Sequence, residues 1–237
     1  MTEHPVFTLP LLQAVNDWQR GGDHNQKIRR GNALKAACLS LPAQYRQPPA
    51  LCYRQESHKE DRTWQLLIDN ELPETIAAWS LSLDVVQTFK GGIPPHDQRG
   101  IVFQIAPEPH QVIANIAALY ADPEFLETAH ARNSEISGYY SGIGDYGNAQ
   151  QEVVLELGSL DRATIHLYGG FAGTLDQLIT EFHAQQGRPP DAQELALIQP
   201  FVGQPRWLSP EGTFAAVSRT LGHAAARRWL PASSLYL

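Results

Sequence analysis

From residue 8 onward, apolar side chains recur three and four positions apart. Leu11, Leu12, Val15 and Trp18 form one stripe, with Thr8 placed to cap a helix and Gly21-Gly22 placed to stop it. A second helical pattern runs from about Asn25, with Ile28, Leu34, Ala37 and Leu39 apolar, until Pro42, Pro48 and Pro49 end the helical character. At about Ala50 the period changes. Short β-branched or aromatic runs at Leu51 to Arg54, Trp64 to Ile68, Ile76 to Ser80, Ile101 to Ile105, Glu152 to Leu157 and Thr164 to Tyr168 predict strands. The segments Lys90 to Gly100 and Ser137 to Asn148 are crowded with Gly, Pro, Asp and Asn and read as exposed turns. From Phe171 the pattern is helical again. Thr174 opens one helix through Leu175, Leu178, Ile179 and Phe182, Pro189-Pro190 precede a second, and Ser209-Pro210-Glu211 starts a third reaching about Trp229. The fold class is therefore α+β: a helical lobe over 1–49, a mixed β core over 50–170 and a helical extension over 171–237.

Composition narrows this picture. With 237 residues and 43% apolar content, the chain can bury a sizeable core. Its apolar stretches fall short of the roughly 20 residues that span a bilayer, and the N-terminal segment lacks a secretory pattern, so a cytoplasmic protein without membrane partners is expected. The two cysteines, Cys38 and Cys52, stand in no metal or redox spacing, and the nine histidines form no metal motif, so no metal is expected. Charge is uneven. Residues 1 to 62 hold nine Lys and Arg against six Asp and Glu, whereas the chain as a whole has a net charge of −7. The N-terminal part can thus present a basic patch to a dinucleotide or nucleic acid, or simply a solvated helix face.

Three short elements carry candidate chemistry. A predicted strand ends in Tyr53-Arg54; Trp79-Ser80-Leu81-Ser82 leads into a short helix ending at Phe89; and Gln150-Gln151-Glu152 leads from a Gly-rich loop into an apolar strand. Arg54 and Ser80 lie 26 positions apart and Ser82 and Glu152 70 apart, as separate strands meeting at one cleft would require. In type and order the three elements resemble the Arg, Ser and Glu signature of mono-ADP-ribosyltransferases, over about residues 50 to 157. The resemblance implies an ADP-ribosyltransferase-like split β core within a catalytic domain of residues 1–170. It also implies NAD+ as a substrate cleaved at its bond to nicotinamide. Two positions depart from the family pattern: Gln55 stands where Gly often follows the Arg, and Leu81 where Thr is frequent.

The residue types suit that chemistry. A planar, permanently charged guanidinium donates paired hydrogen bonds to phosphate oxygens, which makes Arg54 the candidate pyrophosphate clamp. Cleavage of the nicotinamide bond builds positive charge on the ribose. A fixed carboxylate stabilises that charge more than it stabilises the ground state, and Glu152 is the candidate. Ser80 is expected to orient Glu152, and Ser82 to cap the following helix or shape the cleft. The resemblance places Tyr53, Gln55, Trp79 and Phe89 beside the dinucleotide as well, although core packing is the commoner fate of such aromatics. The loop with Lys90 and Arg99 matches in position one that contacts the dinucleotide in the resembling family, which implies phosphate contacts for them, although solvated loop charges are the commoner fate.

The acceptor turns on Gln150. In the resembling family a Glu at this position accompanies transfer to arginine, so Gln150 implies a non-arginine acceptor, either a protein side chain or a nucleobase. Tyr139, Tyr140 and Tyr146 lie in the segment matching the acceptor-recognition loop, where tyrosines can stack on a base or pack against a protein. A toxin, phage or defence effector with an inhibitory or antitoxin partner is a setting the resemblance admits. Two alternatives stay open: an NAD+ glycohydrolase using water as acceptor, and a noncatalytic NAD- or partner-binding module.

Overall fold

The computed structural model describes residues 5–59, 62, 74–89, 94, 98–160, 164–171, 174–203 and 206–229. The expected strand at Trp64 to Ile68 and most of the loop after Lys90 lie outside them. The protein is α+β and divides into two compact units that interleave along the chain rather than meeting at residue 170. The first comprises residues 1–54, 70–85 and 104–163, and the second 55–69, 86–103 and 164–237.

The first unit begins with two helices, α1 (Leu9–Gln19) and α2 (His24–Ala37). Thr8 caps α1 by accepting from the Leu11 N–H, and Asp23 and Gln26 form a reciprocal capping box at the start of α2. Gly21 and Gly22, at φ +63° and +130°, make the tight turn between the helices, a backbone conformation few side chains tolerate. Leu11, Leu12, Val15 and Leu34 are buried as their spacing predicts, whereas Ile28 and Leu39 are exposed. For α2 the helical reading holds, but its buried stripe is narrower than expected.

Four strands follow in spatial order β4-β5-β2-β1: β1 (Cys52–His58), β2 (Ile76–Ser80), β4 (Val112–Asn115) and β5 (Glu152–Glu156). β1 enters the second unit after Arg54. β2 and β5 pair antiparallel from Ile76↔Glu156 to Ser80↔Glu152, and β1 joins β2 through Tyr53↔Ser80. Near-continuous burial along β2 and β5 shows that both sheet faces are covered. Two helices, α4 (Ile116–Tyr120) and α5 (Pro123–Ala131), escape the pattern reading because they are short, five and nine residues. Their Tyr120 and Phe125 nonetheless anchor the core: Phe125 meets Phe7 and Tyr120 edge-on at centroid distances of 5.4 and 5.5 Å.

The second unit holds the end of β1, β3 (Arg99–Ile105, as far as Phe103), β6 (Thr164–Phe171) and β7 (Arg206–Trp207), in the order β1-β3-β6-β7. The helix α3 (Leu83–Thr88) leads into it from the first unit. As the C-terminal pattern predicts, α7 (Leu175–Gln186), α8 (Ala192–Ile198) and α9 (Pro210–Trp229) are helical. Thr213 of α9 is buried and accepts a hydrogen bond from the Tyr168 N–H, tying that helix to β6. Among the described residues no helix is long and apolar enough to cross a membrane.

Because Phe125 is fully buried between two rings, Phe125→Ala should destabilise the protein by ~3–5 kcal/mol. A denaturant midpoint matching wild type would remove this aromatic cluster from the core.

Candidate functional site

Strand register places the candidate residues. Ser80 closes β2 directly opposite Glu152, which opens β5, and Tyr53 lies across from Ser80 on the other side, so one row crosses β1, β2 and β5. Directly opposite residues project from the same face of a sheet. The neighbouring pair Trp79↔Val153 therefore projects from the other face. There Trp79 is 2% exposed and takes a packing position, with its indole nitrogen buried and without a hydrogen-bond partner among the described residues.

Glu152 is 5% exposed. Its Oε1 accepts a hydrogen bond of 2.5 Å from the indole N–H of Trp18, 134 residues earlier at the end of α1. Ser80 does not play the orienting part expected of it. Its hydroxyl instead donates to the Gln150 carbonyl at 2.8 Å and accepts from the Ser82 N–H at 3.1 Å. Ser82 accepts from the Val85 N–H and so caps α3 as expected. The result is a stitched entry to β5: Ser80 holds the carbonyl of Gln150, and the Leu81 N–H holds that of Gln151 at 3.0 Å. Gln151 sits at φ +44°, the sole non-glycine residue at positive φ among those described, so the backbone immediately before Glu152 is strained.

Burial sets the electrostatics. Removal from water pushes the Glu152 carboxyl up from its ordinary 4.5 to about 7, against the smaller, lowering effects of the Trp18 hydrogen bond and the Arg54 charge. Near neutral pH the group is thus divided between its acid and its carboxylate. Arg54 acts on it through space. The guanidinium donates from Nη1 to the Ala78 carbonyl at 2.9 Å and from Nη2 approaches Glu74 at 3.5 Å. Glu74 in turn draws Lys27 to 3.3 Å and His24 to 3.9 Å, so basic residues of α2 and Arg54 near the start of β1 converge on one carboxylate.

The loop before Glu152 is docked rather than free. Asn16 is completely buried on α1. Its Nδ2 donates to the Ser137 carbonyl at 3.0 Å, and its Oδ1 accepts from the Ile143 N–H at 2.9 Å. One turn earlier, Gln13 exchanges two hydrogen bonds with the backbone of Ser137. Gly142 makes this possible: a Cβ there would fall 2.3 Å from Asn16 Oδ1. The exposed turn predicted for this stretch therefore contains a short helix, α6 (Ile143–Tyr146), with Ile143 buried. Of its tyrosines, Tyr139 packs partly against the core, Tyr146 is exposed, and Tyr140 stands out at 77% exposure, edge-on to Tyr139 at 5.2 Å.

Gln55 and Phe89 belong to the second unit. Phe89 is exposed, and the Gln55 side-chain oxygen is buried with no hydrogen-bond partner among the described residues. Lys90 lies outside the described residues, while Arg99 begins β3. Sequence reasoning missed Asn16, Gln13 and Glu74, and read Trp18 only as a core residue. The usable signal was Asn16, a polar residue four positions after Leu12 on the buried stripe, which has to find partners. No family model matches the chain, and neither does any curated protein or solved structure.

Two tests follow from this geometry. Gly142→Ala should clash with Asn16, cost ~1–3 kcal/mol and raise amide exchange across 137–149; wild-type protection there would show the loop is held by something else. A carboxyl whose folded-state pKa is raised above its unfolded value weakens the folded state as pH climbs from 4.5 through about 7. Glu152→Gln should therefore match wild type in stability near pH 4 and exceed it by pH 8, on the order of 3 kcal/mol. Parallel melting curves across pH would contradict the buried-carboxylate assignment.

Proposed function

We propose that the protein is a mono-ADP-ribosyltransferase that cleaves NAD+ and transfers ADP-ribose to a non-arginine acceptor on a macromolecule, and that its α+β sheet is an ADP-ribosyltransferase-like core. One observation carries this reading. Ser80 and Glu152 are 72 positions apart in the chain, yet they are paired directly across adjacent strands, with Tyr53-Arg54 on the next strand. Tyr53, Ser80 and Glu152 thus share one row of the sheet, and Arg54, the next residue along β1, is near enough for its charge to favour the Glu152 carboxylate.

In the proposed reaction the bond between nicotinamide nitrogen and ribose carbon breaks, and its electron pair leaves with nicotinamide. The ionised Glu152 stabilises the cationic sugar, and an acceptor atom forms the new bond at the same carbon and gives up its proton to water. Arg54 binds the pyrophosphate, exchanging the carboxylate of Glu74 for phosphate oxygens of the same charge type. The docked loop, with Tyr140 exposed, offers the acceptor an aromatic surface beside the site. Gln150, whose carbonyl is fixed by Ser80, leaves its side-chain amide rather than a second carboxylate near the acceptor; this supports an acceptor other than a guanidinium. The acceptor is either a protein side chain or a nucleobase.

Labelled NAD+ incubated with the protein and a cell lysate should yield labelled macromolecules, and separate protease and nuclease digestion identifies which class carries the label. Glu152→Gln should lower nicotinamide release ~10²- to 10³-fold. If the wild-type protein releases no nicotinamide in the presence of lysate, the proposed activity is refuted.

A further inference from the structure

We propose that Trp18 is the positioning residue for Glu152: its indole N–H, presented from α1, fixes the carboxylate's orientation and favours its ionised form. The inference rests on the activity proposed above and extends it to a residue outside the three motifs. Trp18 Nε1 is the hydrogen-bond donor that reaches the Glu152 carboxylate among the described residues, at 2.5 Å. The neighbouring hydroxyl that could have served, Ser80, is committed to the Gln150 carbonyl.

The donor is rigid for three reasons. An indole N–H points along the ring plane, so its direction is set once the ring is placed. The ring is placed by a close approach of α2. At Gly31 a Cβ would lie 3.2 Å from Trp18 Cζ3 and 3.0 Å from Ile76 Cγ2, so the glycine lets helix backbone, ring and β2 come into contact. The helix that carries the ring is itself fixed, because Gln13 and Asn16 bind the backbone of the loop leading to Glu152. One helix therefore sets both the carboxylate and the segment that precedes it.

The other groups whose charge bears on Glu152 cannot replace this contact. Arg54, from β1, acts through space while hydrogen-bonded to Ala78 and paired with Glu74. Tyr120, from α4, has its hydroxyl 2.8 Å from Gln19 Oε1 and 3.2 Å from the Ile143 carbonyl. A hydrogen bond donated to the charged form of a carboxyl lowers its pKa, opposing the upward push of burial. Removal of the indole N–H should thus leave Glu152 protonated to higher pH, with fewer molecules in the charged form at neutrality.

The test compares wild type with Trp18→Phe and with benzothienylalanine at position 18, an isostere that keeps the bicyclic shape and lacks the N–H. It has two readouts. The first is the titration of Glu152 by NMR of isotope-labelled glutamate carboxyls without NAD+, its signal identified by Glu152→Gln. Its midpoint should rise by about one pH unit in both variants. The second is nicotinamide release against pH. At neutrality kcat should fall about fivefold and recover in alkali, with KM for NAD+ unchanged within about twofold. An unmoved Glu152 titration in the isostere overturns the proposal, as does a loss that appears in KM alone. A wild-type protein that releases no nicotinamide refutes the activity instead, while the titration still decides whether Trp18 controls Glu152. Because the isostere preserves packing, a folding failure of Trp18→Phe leaves the test intact.

Discussion

The candidate site depends on keeping a carboxylate out of water. Glu152 opens a strand covered on both faces, and burial there disfavours its charge more than its surroundings restore it. The surroundings make sense as responses to that cost: an indole donor from α1, a guanidinium acting at longer range, and backbone stitches that hold the strand entry in a strained conformation. Strain of this kind persists only where neighbouring contacts over-determine the backbone, and here Ser80 and Leu81 hold both carbonyls that precede Glu152.

The α1 helix concentrates these responses. Its apolar side enters the core through Leu11, Leu12 and Val15, while Asn16 and Gln13 bind the loop and Trp18 reaches the carboxylate. A buried polar residue in a helix is costly unless fully paired, and both ends of the Asn16 amide are used. The helix is thus a structural template as much as a packing element.

Much of the framework was legible in the residues. Helix caps at Thr8 and Thr174, the strand from Ile76 to Ser80 and the capping role of Ser82 follow from local rules, and each has the expected geometry. Three things were not legible, for physical reasons. β4, α4 and α5 are too short for a period to emerge. The partners of Glu152 and Arg54 lie in other elements: the Glu152 carboxylate accepts from Trp18 rather than Ser80, and the Arg54 guanidinium lies 3.5 Å from Glu74. The Gly-rich loop looked open because its anchors, Asn16 and Gln13, are more than 120 residues away. Local chemistry predicts elements well, but which side chains meet is decided by tertiary contacts that no window contains.

Those same sequence separations have a temporal side. The contact between Trp18 and Glu152 spans 134 residues, and the docking of Asn16 on Ile143 spans 127. A growing chain that has already made α1, α2 and β2 still lacks β5, which pairs with β2, and the carboxylate itself. Contacts this distant in sequence form late and only when loop closure is rewarded by packing. Until synthesis has passed Glu152 the first of these contacts cannot form, so Trp18, Tyr53 and Ser80 wait, already made, for the residue that joins them.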